Sequence, residues 1–214
     1  INFKNYIIKM SDLRRTVLPL MLLGDAQVGK TSMILKLTGN EFNDSQLTTV
    51  GKEAYIYQTT INGYNLKMKI YDTAGQERFR SMSVQVIKNS DAVMLVYAVN
   101  NKQTFKALDN WLSQLNDTVD ISRKPIIIVG NKSDIENSQR EVTYEEGKNY
   151  ADSKGYKFFE TSAKNGTNVK EAFEELFNQL FTVLEPEITG KKATDKKGAV
   201  LNNAGSKQKR GKCC

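Results

Sequence analysis

The chain has 214 residues, 39% of them hydrophobic, enough for one packed domain with room for a tail. No apolar run approaches the roughly 20 residues a membrane-spanning helix needs, and the only cysteines, Cys213 and Cys214, are adjacent, which excludes a disulfide framework and suits a reducing compartment. The +7 charge sits in one segment: residues 188–214 carry eight Lys or Arg against one acid, Asp195, and the rest balances at 23 basic to 23 acidic. A neutral body with a basic tail suits an anionic membrane surface and argues against a nucleic-acid groove.

Residues 1–15 read as a disordered N-terminal extension. Ile1 to Lys9 can all be encoded by codons of A and T alone and precede Met10, so we read them as translated leader. A mature N-terminus mapped upstream of Met10 by mass spectrometry would refute that. Residues 16–185 then alternate strand-like and helix-like patterns. Thr16 to Leu23 reads as a buried strand whose pairing starts after Pro19, which lacks a ladder donor. Thr31 to Leu37 reads as a helix. Glu53 to Ile61 and Leu66 to Tyr71 alternate about Asn62-Gly63, a strong hairpin signal. Ala92 to Ala98 and Pro125 to Gly130 are continuous apolar runs, as in strands buried on both faces, and Lys157 to Thr161 is a further short strand.

Helices are expected from about Lys102 to Asn116, from Thr143 with a capping box to Glu146, and from about Asn168 to Leu184. The last places Val169, Ala172, Phe173, Leu176, Phe177, Leu180 and Phe181 on one face. This alternation implies a single α/β domain with a mostly parallel, six-stranded sheet flanked by helices. Residues 186–214 lack apolar periodicity and are expected to be a disordered basic tail.

Gly24-Asp25-Ala26-Gln27-Val28-Gly29-Lys30-Thr31 matches G-x-x-x-x-G-K-[ST], after an expected strand and before an expected helix. Glycines let backbone wrap close to phosphate, and the helix N-terminus adds a favourable dipole. The expected phosphate ligands are Ala26, Gln27, Val28, Gly29, Lys30, Thr31 and Ser32, with Lys30 reaching the β- and γ-phosphates and the Thr31 hydroxyl on Mg²⁺. Asn131-Lys132-Ser133-Asp134 follows a later apolar strand. A carboxylate at Asp134 can accept hydrogen bonds from guanine N1–H and the 2-amino group. Adenine offers neither donor, so such a site discriminates by on the order of 10⁴. GTP and GDP are therefore the expected ligands.

With Thr49, Asp72-Thr73-Ala74-Gly75-Gln76 and Glu160-Thr161-Ser162-Ala163-Lys164, these motifs resemble those of Ras-superfamily GTPases in order and spacing. Asp72 to Phe79, with the terminal Cys213-Cys214, looks like the Rab branch, and the resemblance covers about Val17 to Leu184. It implies a P-loop NTPase fold, the small G domain. It implies that Phe42 stacks on the guanine ring edge, that Lys132 lies over the base, and that Ser162, Ala163 and Lys164 hold it from the other side. Thr49 joins Thr31 on Mg²⁺, Asp72 holds Mg²⁺ through water, the Gly75 amide meets the γ-phosphate, and Gln76 orients the attacking water as the catalytic residue.

The resemblance further implies slow intrinsic hydrolysis that an activating protein accelerates, an exchange factor, effectors that read residues 46–54 and 71–88, and a prenylation escort with a GDP-dissociation inhibitor. Cys213 and Cys214 become the lipidation site, and Lys207, Lys209, Arg210 and Lys212 add attraction to an anionic leaflet. A monomer cycling between cytosol and the cytoplasmic face of an endomembrane is expected.

Several positions depart from the Rab pattern. Ala26 and Gln27 replace residues that are often Ser or Gly, and the Ala26 methyl stands near the space Gln76 needs. Gln46 stands where an aromatic usually covers the γ-phosphate. Lys52 and Ala54 interrupt a hydrophobic stretch, Tyr71 replaces a tryptophan, and Val86-Ile87-Lys88 replaces an aromatic pair plus Arg on the effector face. These departures leave room for a GTP-binding scaffold with negligible hydrolysis. A P-loop ATPase or small-molecule kinase would instead prefer ATP.

Overall fold

The computed structural model describes residues 15–39, 54–72 and 80–190. The expectations for Phe42, Gln46, Thr49, Lys52, Gly75, Gln76, Cys213 and Cys214 lie outside these residues. In chain order the elements are β1 (Val17–Leu23), α1 (Lys30–Leu37), β2 (Ala54–Ile61), β3 (Tyr64–Asp72), α2 (Arg80–Asn89), β4 (Ala92–Ala98), α3 (Lys102–Lys106), α4 (Leu108–Thr118), β5 (Ile126–Asn131), α5 (Tyr144–Lys154), β6 (Lys157–Thr161) and α6 (Val169–Thr189).

Among the described residues the strands form one six-stranded sheet in the order β2-β3-β1-β4-β5-β6. β2 runs antiparallel to β3, and every other pairing is parallel. The β2–β3 hairpin turns at Asn62 and Gly63, both with positive φ (50° and 83°), as a two-residue turn matched to strand twist requires. β1 lies between β3 and β4, so the chain winds outward from it in both directions. That is a topological switch point, and a crevice opens there beyond the carboxyl ends of the strands.

Side-chain alternation on β1 divides the core into two layers. Leu18, Leu20 and Leu22 join α1 and α6 on one face of the sheet. Met21 and Leu23 join Ile87 of α2, Leu108, Leu112 and Leu115 of α4, and Ala151 of α5 on the other. β4 is buried along its whole length. Each such Leu or Phe contributes about 1.5–3 kcal/mol on leaving water. α6 also clamps the hairpin: Phe177 stacks on Tyr57 with ring centres 5.9 Å apart, and Phe181 meets Tyr64 at 5.5 Å.

Four local outcomes differ from the sequence expectation. β1 begins before Pro19: Pro19 pairs with Lys69 of β3, and its carbonyl accepts from the Asp91 N–H at 2.8 Å. The missing donor therefore points to the side where β4 has not yet begun, and little is lost. Residues 80–89 form α2, for which no helix was expected. The single helix expected from Lys102 is two, α3 and α4, meeting at Ala107. Thr104 explains the break, because its hydroxyl accepts from the Ala98 N–H at 3.0 Å and ties the first turn to the end of β4.

The fourth difference is the length of α6, which passes through Pro186 to Thr189 rather than ending near Leu184. Ile188 is fully buried. Glu187 accepts from Arg15 Nη1 at 3.1 Å, and the same guanidinium pairs with Asp91. This tertiary anchoring outweighs the lost helical hydrogen bond at Pro186.

Candidate nucleotide-binding site

The described site residues lie where β1, β3, β5 and β6 end, at the carboxyl edge of the sheet. The loop after β1 is shaped by close backbone approach. Gly24 has φ +147°, and a Cβ there would lie 2.0 Å from the Val96 carbonyl oxygen. Gly29 has φ +97° and precedes α1. A Cβ on it would lie 2.2 Å from Asn131 Nδ2. Gln27 is also left-handed, with φ 62°, a conformation that favours glycine. The backbone thus turns its amides around a concavity at the N-terminus of α1, an anion-binding arrangement.

Lys30 is 5% exposed, and its Nζ donates to the carbonyls of Gly24 at 2.7 Å and Asp25 at 2.8 Å. Burial pulls its pKa down to about 8, against the opposing influence of Asp72 and Asp25. A desolvated cation held only by carbonyls is poised for an anionic ligand. Thr31 Oγ1 donates to Asp72 Oδ2 at 2.6 Å, joining the start of α1 to the end of β3. A hydroxyl and a carboxylate brought this close are hard oxygen donors, and they fit Mg²⁺. Ser32 follows them, half-buried, in the first turn of α1.

The base-reading motif is built on Asn131, which is 1% exposed at the end of β5. Its Nδ2 donates to the Val28 carbonyl at 2.8 Å. Its Oδ1 accepts from Thr161 Oγ1 and from the Ala163 N–H, both at 3.1 Å. One side chain therefore joins the phosphate loop, β5 and the loop after β6. Lys132 adopts φ 71°, half-buried, and burial lowers its pKa. Asp134 is exposed, and Ser162 Oγ donates to its Oδ1 at 2.6 Å, which fixes the carboxylate. Ser162 and Ala163 are buried and Lys164 is exposed.

Two residues that carry no motif reinforce this frame. Arg140 makes a forked pair with Glu160, Nη1 to Oε1 at 2.6 Å and Nη2 to Oε2 at 3.0 Å, just before Thr161. Trp111 Nε1 of α4 donates to Asp25 Oδ1 at 2.9 Å in the phosphate loop. Neither was legible from spacing, because each partner lies far away in the chain.

The structure also corrects the expected effector face. Ile87 is only 4% exposed and packs into the core with Met21 and Leu23, so it is not available to a partner. Val86 is half-buried against the same cluster. Tyr71 is half-buried, with the Lys69 ammonium 4.9 Å from its ring centre.

Residues 19–182 match the model of the Ras family. The chain is 35% identical to the Ypt/Rab-type GTPase avaA of Emericella nidulans, over 87% of this chain and 93% of that protein. It is 35% identical to human Ras-related protein Rab-8B, over 85% and 86% of the two chains. It is 33% identical to Ras-related protein RABA5a of Arabidopsis thaliana, over 91% and 92%. A sheet with this order, a phosphate loop braced against an Asn-Lys-x-Asp turn, and relatives of nearly matching length agree: the chain belongs to the Ras family of small GTPases and is of the Rab/Ypt type.

Proposed function

We propose that this protein is a GTP-hydrolysing, lipid-anchored switch in vesicle trafficking. The observation that carries the reading is the Asn131 brace, which couples the phosphate loop at Val28 to the base loop at Ala163. A ligand that fills both loops must present phosphates at one end and a guanine at the other. Ala26 through Ser32 wrap the phosphates, Lys30 neutralises them, and Asp134, held by Ser162, accepts from guanine. Phe42 and Lys132 cover the base, and Ala163 and Lys164 close it from the far side.

Thr31, Thr49 and Asp72 would hold Mg²⁺, which when bound neutralises charge on the β- and γ-phosphates. Gln76 orients water in line with the γ-phosphate, and the Gly75 amide contacts that phosphate. Hydrolysis removes these contacts and releases the segments around Thr49 and Gly75, so partners that read them read the nucleotide. An exchange factor reloads GTP, and an activating protein accelerates hydrolysis by about a thousandfold or more. Effectors bind the segments near 46–54 and 71–86, and the prenylation escort and GDP-dissociation inhibitor handle a tail lipidated at Cys213 and Cys214. Among the described residues no helix is long and apolar enough to cross a membrane, so the tail carries membrane attachment.

Calorimetry with Mg²⁺ tests the binding: GDP and GTP should release heat, with ATP weaker by about a thousandfold or more. No heat with guanine nucleotides, or equal affinity for ATP, would overturn the reading. Removing Cys213 and Cys214 should leave the protein cytosolic on cell fractionation. Undiminished recovery with membranes would refute the lipid anchor.

A further inference from the structure

Trp111 is the chain's sole tryptophan. It lies on α4, which is seated in the core through Leu108, Leu112 and Leu115. Its ring packs against that same cluster, and its indole N–H reaches Asp25 Oδ1 at 2.9 Å. The Asp25 backbone carbonyl accepts from Lys30 Nζ at 2.8 Å. Asp25 is therefore held from outside by a rigid helix and holds the phosphate-binding lysine from inside. Gly24, immediately before it, bears no side chain that could fix the turn, because the Val96 carbonyl fills the Cβ position.

We propose that Trp111 is a positioning residue of the phosphate loop, its indole N–H pinning Asp25 so that Lys30 and the loop amides keep the geometry that retains nucleotide. This rests on the reading that the loop binds guanine nucleotide phosphates. The link joins a helix of the distal core layer to the loop at the switch point. Loss of this one N–H loosens a site it does not touch. The acceptor is a half-buried carboxylate, and a hydrogen bond to a charged group is the stronger kind. Phenylalanine preserves most of the ring packing and removes the donor alone.

The test is a double-mutant cycle on the full chain loaded with fluorescent N-methylanthraniloyl-GDP, following release into excess GDP with Mg²⁺ present. Trp111→Phe should speed release by about tenfold. Asp25→Ala should speed it at least as much, and the double variant should be no faster than Asp25→Ala alone. A role of Trp111 in packing alone predicts multiplied effects, and either multiplication or wild-type release by Trp111→Phe overturns the proposal. The emission of Trp111 is an independent readout in a chain that keeps its tryptophan. Asp25→Ala should shift the emission maximum, and an unchanged spectrum also overturns the proposal, whether or not Trp111→Phe folds. Wild-type protein that holds no guanine nucleotide would mark the failure of the functional reading instead, and the retention claim would fall with it.

Discussion

Asn131 donates from its side-chain amide to the Val28 carbonyl across 2.8 Å, although the two residues belong to different loops of the site. The same amide accepts from Thr161 and Ala163 with its oxygen. Donor and acceptor on one short planar group are what this junction needs. Aspartate in that position would lose the donor, and serine would not span the gap. Positioning of phosphate and of base is thereby mechanically shared.

Asn131→Ala should loosen both ends of the nucleotide together. Three buried partners would lose their hydrogen bonds, each worth about 1 kcal/mol net and more when left unsatisfied. GDP release should accelerate by roughly 100-fold, read by displacement of a fluorescent GDP. The cost should appear with GTP as well, because the brace touches neither the γ-phosphate nor its surroundings. Acceleration confined to one nucleotide would contradict a shared brace.

A contrast between two glycines isolates steric demand from backbone strain. Gly29 and Gly39 both have positive φ, 97° and 82°. At Gly29 a methyl would collide with Asn131 Nδ2 at 2.2 Å, whereas at Gly39 nothing lies within 4 Å. Gly29→Ala should therefore abolish copurifying nucleotide, detected by chromatography of the denatured protein. Gly39→Ala should retain it and lose only about 1–2 kcal/mol of stability from the left-handed backbone. Retention of nucleotide by Gly29→Ala would contradict the close approach of the two loops.

Asp91 supplies a pH signature of the fold. Burial raises its pKa above the ordinary value of 3.8, Arg15 and Lys124 oppose that rise, and Glu187 adds to it. The folded state then binds the proton more tightly than the unfolded chain. This contribution is full below the unfolded pKa and is lost as pH rises through the folded value. At neutral pH the ionised carboxylate is a net cost despite its pairing with Arg15. Asp91→Asn should match wild type near pH 3.5 and melt higher, by on the order of a degree or two, at pH 7. Melting curves across that range decide the matter, and a variant that loses stability relative to wild type as pH rises would reverse the sign.

What could be read from the chain follows from how local each signal is. Ala92–Ala98 and Ile126–Asn131 declared themselves because a strand covered on both faces must be apolar throughout. The phosphate loop and Asn131 to Asp134 declared themselves because their backbone geometry demands particular residues at fixed spacing. α2 did not, because Arg80–Asn89 buries little beyond Ile87 and carries no expected cap or stripe. The end of α6 was misread because proline is a local stop signal, while the burial of Ile188 and the pairing of Glu187 with Arg15 are tertiary. Trp111 and Arg140 follow the same rule, since their partners Asp25 and Glu160 are defined only once the sheet has formed.

Hydrolysis turns on Gln76 and on its neighbour across the loop, Ala26. The Ala26 side chain is half-buried in the turn after Asp25, beside the phosphate concavity. A methyl there crowds the glutamine that must orient water, and it is small enough to slow turnover without stopping it. Single-turnover assays should find Gln76→Leu at least about tenfold slower than wild type with GDP affinity unchanged, because the residue acts only on the attacking water. Ala26→Gly should move in the opposite direction, raising the rate a few-fold at constant affinity. If wild type hydrolyses no faster than Gln76→Leu and Ala26→Gly does not change it, the protein retains GTP without spending it, and the constitutive scaffold becomes the better description of its site.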